Sequence, residues 1–526
     1  MIMKNLLKIF LLGISLSSCV DLDEEVYSEV TASNFYQNEE EVVSAVMRPY
    51  AHLRQVFLNF STNGCGVFLL QELSTDEAAW PTKGRDGFDN GNWIRLHRHE
   101  WTVEDGSFAI SWNDMYKGIA LCNNLLFDFK DIDAVNSTDK LQYQAELRGL
   151  RALYYYYLLD LFGNVPLVTA INQFSPSNNT RVEVFNFIEE EILDIRTNLP
   201  KKGDIGWYGR FTQEAANGLL SRLYLNAEVY TGEARWTDCI EVSRLVLGSS
   251  FSLEAQWDAP FKTDNYASDE NVFAIPADEL FGNDLQQMFQ FTTHWQQREP
   301  QFGYQGNGGY NGMVSVREFI ETYDTLNDAR CFFDSRVFIP GNENDPTLLR
   351  GQFMWGPQYG RDGNPILGTN DKNGQHLVFE LDVPNMEDGN EASGARNIKY
   401  QVEYGAVGFS NDIVLFRLAE IYFNIAEASL RNGGIVPQDV LDAINVIRNR
   451  ANVPTYQNLT LDELYDEKGR EMAYEGLRRT DMIRYKKYTG NWWDKEVSDG
   501  FRTLFPIPQS SRNVNPNLDQ NPGYPD

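Results

Sequence analysis

The chain has 526 residues, enough for three or four ordinary domains or for one large interdependent body. Hydrophobic residues make up 42% of it, aromatic residues 13% and charged residues only 23%, which excludes a disordered chain, a fibre and a coiled coil. The formal net charge is −30, so nucleic acids and anionic membrane surfaces are disfavoured as partners. Neutral ligands, and neutral sugars among them, are compatible with such a surface.

Residues 1–18 have the pattern of a lipoprotein signal peptide. Two lysines precede an apolar stretch over residues 9–16, which is too short to span a bilayer as a permanent helix. The stretch ends in Leu16-Ser17-Ser18-Cys19, which resembles a bacterial lipobox. We therefore expect cleavage before Cys19, a thioether lipid on its sulfur and acylation, as by palmitate, of the new N-terminus. The alternative is a cysteine that happens to follow an ordinary signal peptide.

An acidic segment follows the cysteine. Four of the five residues 21–25 are acids, and such a run next to a lipid anchor is not attracted to anionic headgroups. We interpret residues 19–34 as an acidic tether. The run is similar to the signal that exports Bacteroidetes lipoproteins to the outer face of the outer membrane, and several acyl chains give stable anchoring without a transmembrane helix.

The rest of the chain divides by pattern into three regions. Residues 35–250 are predicted to be helical, residues 251–410 are loop-rich and carry 17 of the 40 glycines, and residues 411–526 hold further helices and a Pro-rich tail. Residues 216–247 and 418–447 look like tetratricopeptide helix pairs, because small alanines recur with aromatic residues at helical spacing. The predicted fold class is mainly α, a tetratricopeptide-like helical scaffold with a loop-rich ligand-binding region.

Local sequence signals predict where some helices begin and which of them are buried. Ser410-Asn411-Asp412 offers an N-cap for a helix that would carry Ile413 and Phe416, and Thr460 with Glu463 reads as a capping box. The run Tyr154-Tyr155-Tyr156-Tyr157 covers every face of a helix, which favours a helix buried on several sides over an aromatic ligand box.

Apart from Cys19, the cysteines form no C-x-x-C pair, and we expect buried free thiols at Cys65, Cys122, Cys239 and Cys331.

Catalytic and metal-binding signatures are sparse. The sequence contains no serine-hydrolase elbow, zincin motif, P-loop or dinucleotide-binding fingerprint in a strand–helix setting. His97 and His99 could chelate a metal if extended, but Arg98 stands between them and a third ligand is missing, so a polar surface cluster is favoured. We expect neither a metal nor a cofactor.

A glycosidase carboxylate pair is the catalytic alternative. Glu471 and Glu475 would lie one turn apart on a helix, and two unpaired carboxylates that close would raise the pKa of one of them. Arginine neighbours lower such a pKa, whereas a general acid needs it raised. We therefore predict a structural ion-pair network in which the nearby Arg470, Arg478 and Arg484 neutralise these two carboxylates.

Five segments carry motifs that are modest one by one. They are residues 150–166, residues 417–428, the spacing Ile444-Asn445-x-x-Arg448-x-Arg450, residues 467–484, and a tail from Leu504-Phe505-Pro506-Ile507-Pro508 to Tyr524. Together, and in this order over essentially the whole chain, they resemble the RagB/SusD family of nutrient-binding outer-membrane lipoproteins of Bacteroidetes. One departure is Asp466-Glu467-Lys468, where the family often has Glu-Arg-x-Arg; it concerns only local pairing.

The resemblance implies four tetratricopeptide-like units and a more irregular face that carries the ligand site. It implies a cell-surface protein without catalysis that binds an oligosaccharide or another nutrient and hands it to a TonB-dependent β-barrel transporter of the SusC type. Two alternatives stay open. One is a surface scaffold that binds only protein, and the other is a glycoside hydrolase with a carboxylate pair ~5–9.5 Å apart.

Sugars present an apolar C–H face and a rim of hydroxyls, which flat aromatic side chains and a few polar groups can meet. Exposed aromatic residues in loops are therefore the feature to seek. The candidates lie in three segments: residues 72–93, where relatives often have ligand contacts, residues 302–312 and residues 354–361. Their predicted ligand-binding residues are Asp76, Trp80, Arg85, Trp93, Tyr304, Tyr310, Trp355 and Tyr359. We expect Trp93 to be a loop residue that adds little to the core.

Overall fold

The computed structural model describes residues 36–278, 287–306 and 308–525. The predicted signal peptide, the lipidation site at Cys19 and the tether to residue 34 lie outside the described residues. Within them, the helices fall short of the length and apolar character needed to cross a membrane.

Helices dominate both ends of the described chain. The N-terminal set runs from residue 39 to residue 247, two short α-helices lie in the described part of the middle region, and the C-terminal set runs from residue 418 to residue 514. In chain order they are α1 (Glu39–Leu58), α2 (Val67–Leu73), α3 (Asn92–Arg98), α4 (Gly106–Asp128), α5 (Ser137–Phe162), α6 (Arg181–Ile195), α7 (Gln213–Leu225), α8 (Ala227–Thr231), α9 (Trp236–Leu247), α10 (Gln287–Thr292), α11 (Arg317–Ile320), α12 (Leu418–Arg431), α13 (Gln438–Arg450), α14 (Leu461–Glu471), α15 (Arg478–Arg484) and α16 (Gln509–Val514).

The strands are short and form small sheets between these helices. They are β1 (Phe60–Ser61), β2 (Gly64–Cys65), β3 (Ala78–Ala79), β4 (Asn271–Ile275), β5 (Val314–Ser315), β6 (Phe332–Phe333), β7 (Phe353–Met354), β8 (Gly356–Pro357), β9 (Val378–Phe379), β10 (Arg396–Asn397) and β11 (Ile413–Arg417). The pairs β1–β2, β3–β5, β4–β11, β7–β10 and β8–β9 are antiparallel, and β6–β7 is parallel.

The helices pack as a series of neighbouring pairs. α5 packs on α4 and α6, α9 packs on both α7 and α12, and α12 packs on α13 and α14. Each helix buries an apolar stripe that its neighbour covers, so the pairs share one continuous core. Both helix pairs predicted from the alanine and aromatic spacing are present, and the prediction of a mainly helical fold is confirmed.

The tyrosine run in α5 belongs to the core. Tyr154 and Tyr155 are wholly buried and Tyr156 and Tyr157 nearly so, as the favoured interpretation predicted. Gly118 lets α4 approach closely, because a Cβ atom there would lie 2.5 Å from the Tyr154 ring. The capping box at Thr460 is present, and the cysteines at 65, 122, 239 and 331 are buried free thiols, as expected.

One predicted helix begins later than expected. Ile413 to Arg417 form strand β11, in which every residue is buried, and the helix begins at Leu418. A short, continuous apolar run is ambiguous between helix and strand, and here β4 supplies hydrogen-bond partners along it. The prediction of an N-cap at residues 410–412 is therefore wrong.

A network of buried ion pairs joins α14 to the middle of the chain. Arg417 contacts Glu270 at 2.8 Å, Glu471 at 2.9 Å and Glu475 at 2.7 Å, and all four side chains are almost fully buried. Arg450 also pairs with Glu270 and with Glu471. The predicted structural ion-pair network is present.

The partners in the network differ from those expected. Glu475 lies in the turn after α14 rather than one helical turn beyond Glu471 on the same helix, although both carboxylates contact Arg417. Arg470 pairs with Glu467, Arg478 with Asp76, and Arg484 with Glu427 and Asp481. The prediction that these three arginines neutralise Glu471 and Glu475 is wrong.

The network predicts a large cost for removing its central cation. Arg417→Leu removes the cation that contacts Glu270, Glu471 and Glu475 together, and breaking a buried pair costs about 3–5 kcal/mol of unfolding free energy. The matched control is Arg317→Leu, because Arg317 pairs with Asp382 at the surface and exposed pairs contribute under about 1 kcal/mol. Chemical denaturation of both variants measures the difference, and equal losses would contradict a dominant role for the network.

Candidate ligand-binding site

An open depression of about 600 Å³ lies where four distant segments meet. These segments are the β1–β2 hairpin, the chain after β3, the chain that follows α10, and the loop around residue 370. Its floor and walls are formed by Phe60, Trp80, Trp295 and Tyr310, with Asp86, Asp89 and Asn370 among the polar residues.

The floor is a stack of nearly parallel aromatic rings. Phe60 stacks on Tyr310 with ring centroids 5.3 Å apart and on Trp80 at 5.0 Å, with interplanar angles of 20° and 18°. Trp80 in turn stacks on Trp93 at 5.2 Å. Tyr310 is 40% exposed, whereas Trp93 is wholly buried beneath the others. The stack therefore runs from the protein core to the surface.

Strand pairing explains how Trp80 reaches the stack. β3 pairs with β5 through Ala79 and Val314, which brings Trp80 beside Gly312. A Cβ atom on Gly312 would lie 2.0 Å from the Trp80 ring, so only glycine allows this approach. Buried Lys83 adds a second link, because its Nζ donates to the carbonyls of Asn311 at 2.5 Å and Gly312 at 3.0 Å. Burial holds the pKa of Lys83 well below its usual range.

Two carboxylates and an amide edge the depression. Asn370 Nδ2 donates to Asp86 Oδ2 at 3.3 Å, and Asp89 accepts a 2.6 Å hydrogen bond from Trp93 Nε1. Both charged residues that line the depression are acids. The arrangement offers hydrogen-bond acceptors beside a flat apolar surface.

Two of the predicted residues, Trp80 and Tyr310, thus line the depression. Trp93 lies in α3 and is buried, so the expectation of an exposed loop residue that adds little to the core is wrong. The cause is the pairing of the 78–80 segment with β5, which covers the Trp93 ring with Trp80.

The other predicted residues lie outside the depression. Asp76 pairs with Arg478 at 2.7 Å, and Arg85 is exposed at the tip of the turn between Lys83 and Asp86. The remaining three are packed elsewhere. Tyr304 is buried against Phe289 and Phe409, Trp355 packs on Phe332, and Tyr359 packs on His376.

Sequence reasoning missed Phe60, Trp295, Asp86, Asp89 and Asn370. Phe60 lies just before Asn63-Gly64, a dipeptide that marks hairpin turns. This signal could have indicated an aromatic residue beside a hairpin turn. Trp295 and Asn370 lie in segments without a pattern, so nothing in their surroundings indicated a site.

A second cavity, of about 420 Å³, lies near residues 398–404 and is lined by Trp257, Phe302 and Tyr404 among others. Its polar lining mixes acids and bases, and the guanidinium of Arg361 covers the Tyr404 ring at 3.9 Å. The depression with the stacked rings is therefore the better candidate for a site that binds flat, hydroxylated molecules.

The structure is a mainly helical scaffold that carries an aromatic-floored depression. Two family models match the chain, one described as the SusD family over residues 382–524 and one described as starch-binding associating with outer membrane over residues 71–225. Together they cover more than half of it, and the chain belongs to the SusD/RagB family.

The relatives agree with this assignment. The starch-binding protein SusD of Bacteroides thetaiotaomicron is 28% identical over 505 residues, which cover 87% of this chain and 85% of the relative. A SusD-like protein of Bacteroides ovatus is 24% identical over 424 residues, or 77% and 70% of the two chains. The first of these relatives is named for binding starch, which agrees with the expectation of a protein without catalysis.

Solved structures share the fold. A SusD superfamily protein from Parabacteroides distasonis superposes with a TM-score of 0.73 at 21% identity, over 94% of this chain and 100% of that one. Surface glycan-binding protein A from Bacteroides thetaiotaomicron, in complex with laminarihexaose, gives 0.69 at 18% identity, over 92% and 99%.

The burial of Trp93 leads to a stability prediction. Trp93→Ala removes a wholly buried ring from between α3 and Trp80, and truncation of a core tryptophan costs about 3–5 kcal/mol. Phe88→Ala is the control, because Phe88 is 55% exposed in the same segment and should change stability by less than about 0.5 kcal/mol. Thermal unfolding compares them, and a Trp93→Ala variant as stable as the wild type would refute the buried stack.

Proposed function

We propose that this chain is a cell-surface lipoprotein that binds an oligosaccharide and delivers it to a TonB-dependent β-barrel transporter of the SusC type. The observation that carries the proposal is the stack of Tyr310, Phe60 and Trp80 at the floor of an open depression edged by Asp86, Asp89 and Asn370.

The chemistry of the depression suits a sugar. A pyranose ring lays its C–H face on an aromatic floor and points its hydroxyls at polar groups around the edge. The carboxylates of Asp86 and Asp89 accept hydroxyl hydrogens, and Asn370 offers an amide group that both donates and accepts. The volume of about 600 Å³ lies in the range of ordinary ligand sites and accommodates a few sugar rings.

Charge narrows the class of glycan. The charged groups that line the depression are carboxylates, and the whole chain carries a net charge of −30. A uronic acid or sulfate group would meet like charge at short range, whereas a neutral hexose would not. We therefore propose a neutral oligosaccharide as the ligand.

Relatives support the same function and location. One is named a starch-binding protein, another was solved with laminarihexaose, and a matching family model is described as associating with outer membrane. The lipobox at Cys19 and the acidic tether supply the anchor that this proposal needs, with the protein on the outer face of the outer membrane. The acidic surface disfavours nucleic acid as a partner.

The aromatic floor predicts the effect of one exposed ring. Tyr310→Ala removes the outermost ring of the stack, and the lost contact area costs on the order of 1–3 kcal/mol of binding free energy. Tyr359→Ala is the matched control, because Tyr359 packs on His376 outside the depression. Calorimetry with neutral oligosaccharides selected on a glycan array should give weaker binding for Tyr310→Ala only.

A uronate oligosaccharide of the same length tests the charge argument in the same titrations. We expect it to bind at least tenfold more weakly than its neutral counterpart, and Asp86→Asn should narrow that gap. Equal affinity for both would overturn the choice of neutral glycans. Failure of the wild-type chain to bind any glycan would overturn the binding proposal and favour a protein-binding scaffold.

The anchor and the transporter have their own test. In cells, Cys19→Ala should abolish acyl labelling and release the protein from membranes, since the sulfur carries the lipid. Gentle detergent extraction of the wild type should recover a transporter-sized β-barrel with it, because a lid over a barrel mouth buries ~2,000 Å² or more. Continued acylation of Cys19→Ala would contradict the proposed lipid anchor. Recovery of the wild type alone, from cells that express the transporter, would contradict the proposed partnership.

A further inference from the structure

A fully buried carboxylate lies behind the wall of the depression. Glu391 is inaccessible to solvent, and the backbone N–H groups of Thr369, Asn370 and Lys372 donate to its two oxygens at 3.1, 3.1 and 2.7 Å. Three backbone donors from one four-residue segment hold the course of the 369–372 loop, whose residue Asn370 lines the depression.

The same carboxylate also holds the segment that carries Trp295. His294 Nδ1 accepts a hydrogen bond from the backbone N–H of Gln296 at 3.0 Å, so its proton lies on Nε2, which donates to Glu391 at 3.2 Å. Burial lowers the pKa of His294 to about 2, so the ring stays neutral. Trp295 Nε1 then donates to Thr369 Oγ1 at 2.8 Å, which joins this segment to the 369–372 loop.

The backbone of Glu391 reaches the third wall segment. Its carbonyl oxygen accepts from Asn311 Nδ2 at 2.9 Å and from Arg396 at 3.0 Å, and Arg396 also donates to Asn311 Oδ1 at 2.6 Å. Asn311 follows Tyr310 and has a left-handed backbone with φ of +52°, which the two side-chain contacts hold in place. One buried residue therefore contacts the supports of Trp295, Tyr310 and Asn370.

We propose that Glu391 is a positioning residue of the binding site: it touches no ligand, but it sets the relative positions of Trp295, Tyr310 and Asn370. The inference rests on the proposed glycan-binding function. A glutamine cannot replace the carboxylate, because its amide group would point N–H bonds at the N–H donors that Glu391 satisfies. Rings held in one arrangement before binding lose less entropy when the ligand arrives.

Glu391→Gln tests the proposal, with Glu427→Gln as the matched control. Glu427 is equally buried and pairs with Arg484 and Arg431, but it lies in α12 of the scaffold. We expect both variants to lose stability. At a temperature where both remain folded, Glu391→Gln should bind a neutral oligosaccharide at least tenfold more weakly than wild type, and Glu427→Gln should bind it equally well.

Hydrogen exchange gives a readout that needs no ligand. The amides of Thr369, Asn370 and Lys372 should exchange at least tenfold faster in Glu391→Gln than in wild type, and at the wild-type rate in Glu427→Gln. Thr369→Val, which removes the acceptor for Trp295 Nε1, should weaken glycan binding, whereas Thr369→Ser keeps the hydroxyl and should bind as wild type does.

The outcomes separate this inference from the function on which it rests. A wild-type chain that binds no glycan overturns the proposed function. Unchanged exchange in the 369–372 loop of Glu391→Gln, or wild-type affinity of that variant for a glycan that the wild type binds, overturns the positioning role of Glu391. Equal losses of affinity in Glu391→Gln and Glu427→Gln would also overturn the positioning role, because Glu391 would then act only through the overall stability of the fold.

Discussion

The burial of many charged side chains is the constraint on which the rest of this structure depends. An isolated ion in the interior costs several kcal/mol, so each buried arginine or glutamate must meet an opposite charge or a set of well-placed hydrogen-bond partners. Arg417 meets this demand by contacting Glu270, Glu471 and Glu475. Because these residues come from distant parts of the chain, the network holds the loop-rich middle of the molecule against the C-terminal helices.

The same constraint extends to the depression proposed as the binding site. Glu77 accepts from the backbone N–H of Tyr474 at 2.6 Å, and Asp76 pairs with Arg478. These contacts anchor the segment that leads through β3 to Trp80, so the aromatic floor takes its position from the C-terminal helices. Asp76 therefore contributes to the site through the fold, although its own side chain lies away from the depression.

The network also determines what its carboxylates can do. Burial alone would raise the pKa of Glu471, but the guanidinium groups of Arg450, Arg417 and Arg330 lower it below its usual range. A general acid needs the opposite shift, which makes Glu471 unsuitable for glycoside hydrolysis. Glu72 has fewer cations nearby, and burial raises its pKa to about 7, yet it accepts from the backbone N–H of Gly476 inside the core. These buried carboxylates stabilise the fold, whereas Asp86 and Asp89 line the depression.

The sequence by itself determined the features that depend on neighbouring residues. Helical spacing, the capping box at Thr460 and the four consecutive tyrosines of α5 predicted helices and a buried core, because each signal acts within a few turns. The family resemblance rested on motifs of the same local kind. Only the tertiary structure decided that Ile413 to Arg417 form a strand, because β4 is its partner. It also decided which arginines meet Glu471, and that Phe60 and Tyr310 stack while Trp93 lies beneath. These contacts join residues that are tens to hundreds of positions apart, and their geometry follows from how strands and helices pack rather than from any spacing along the chain.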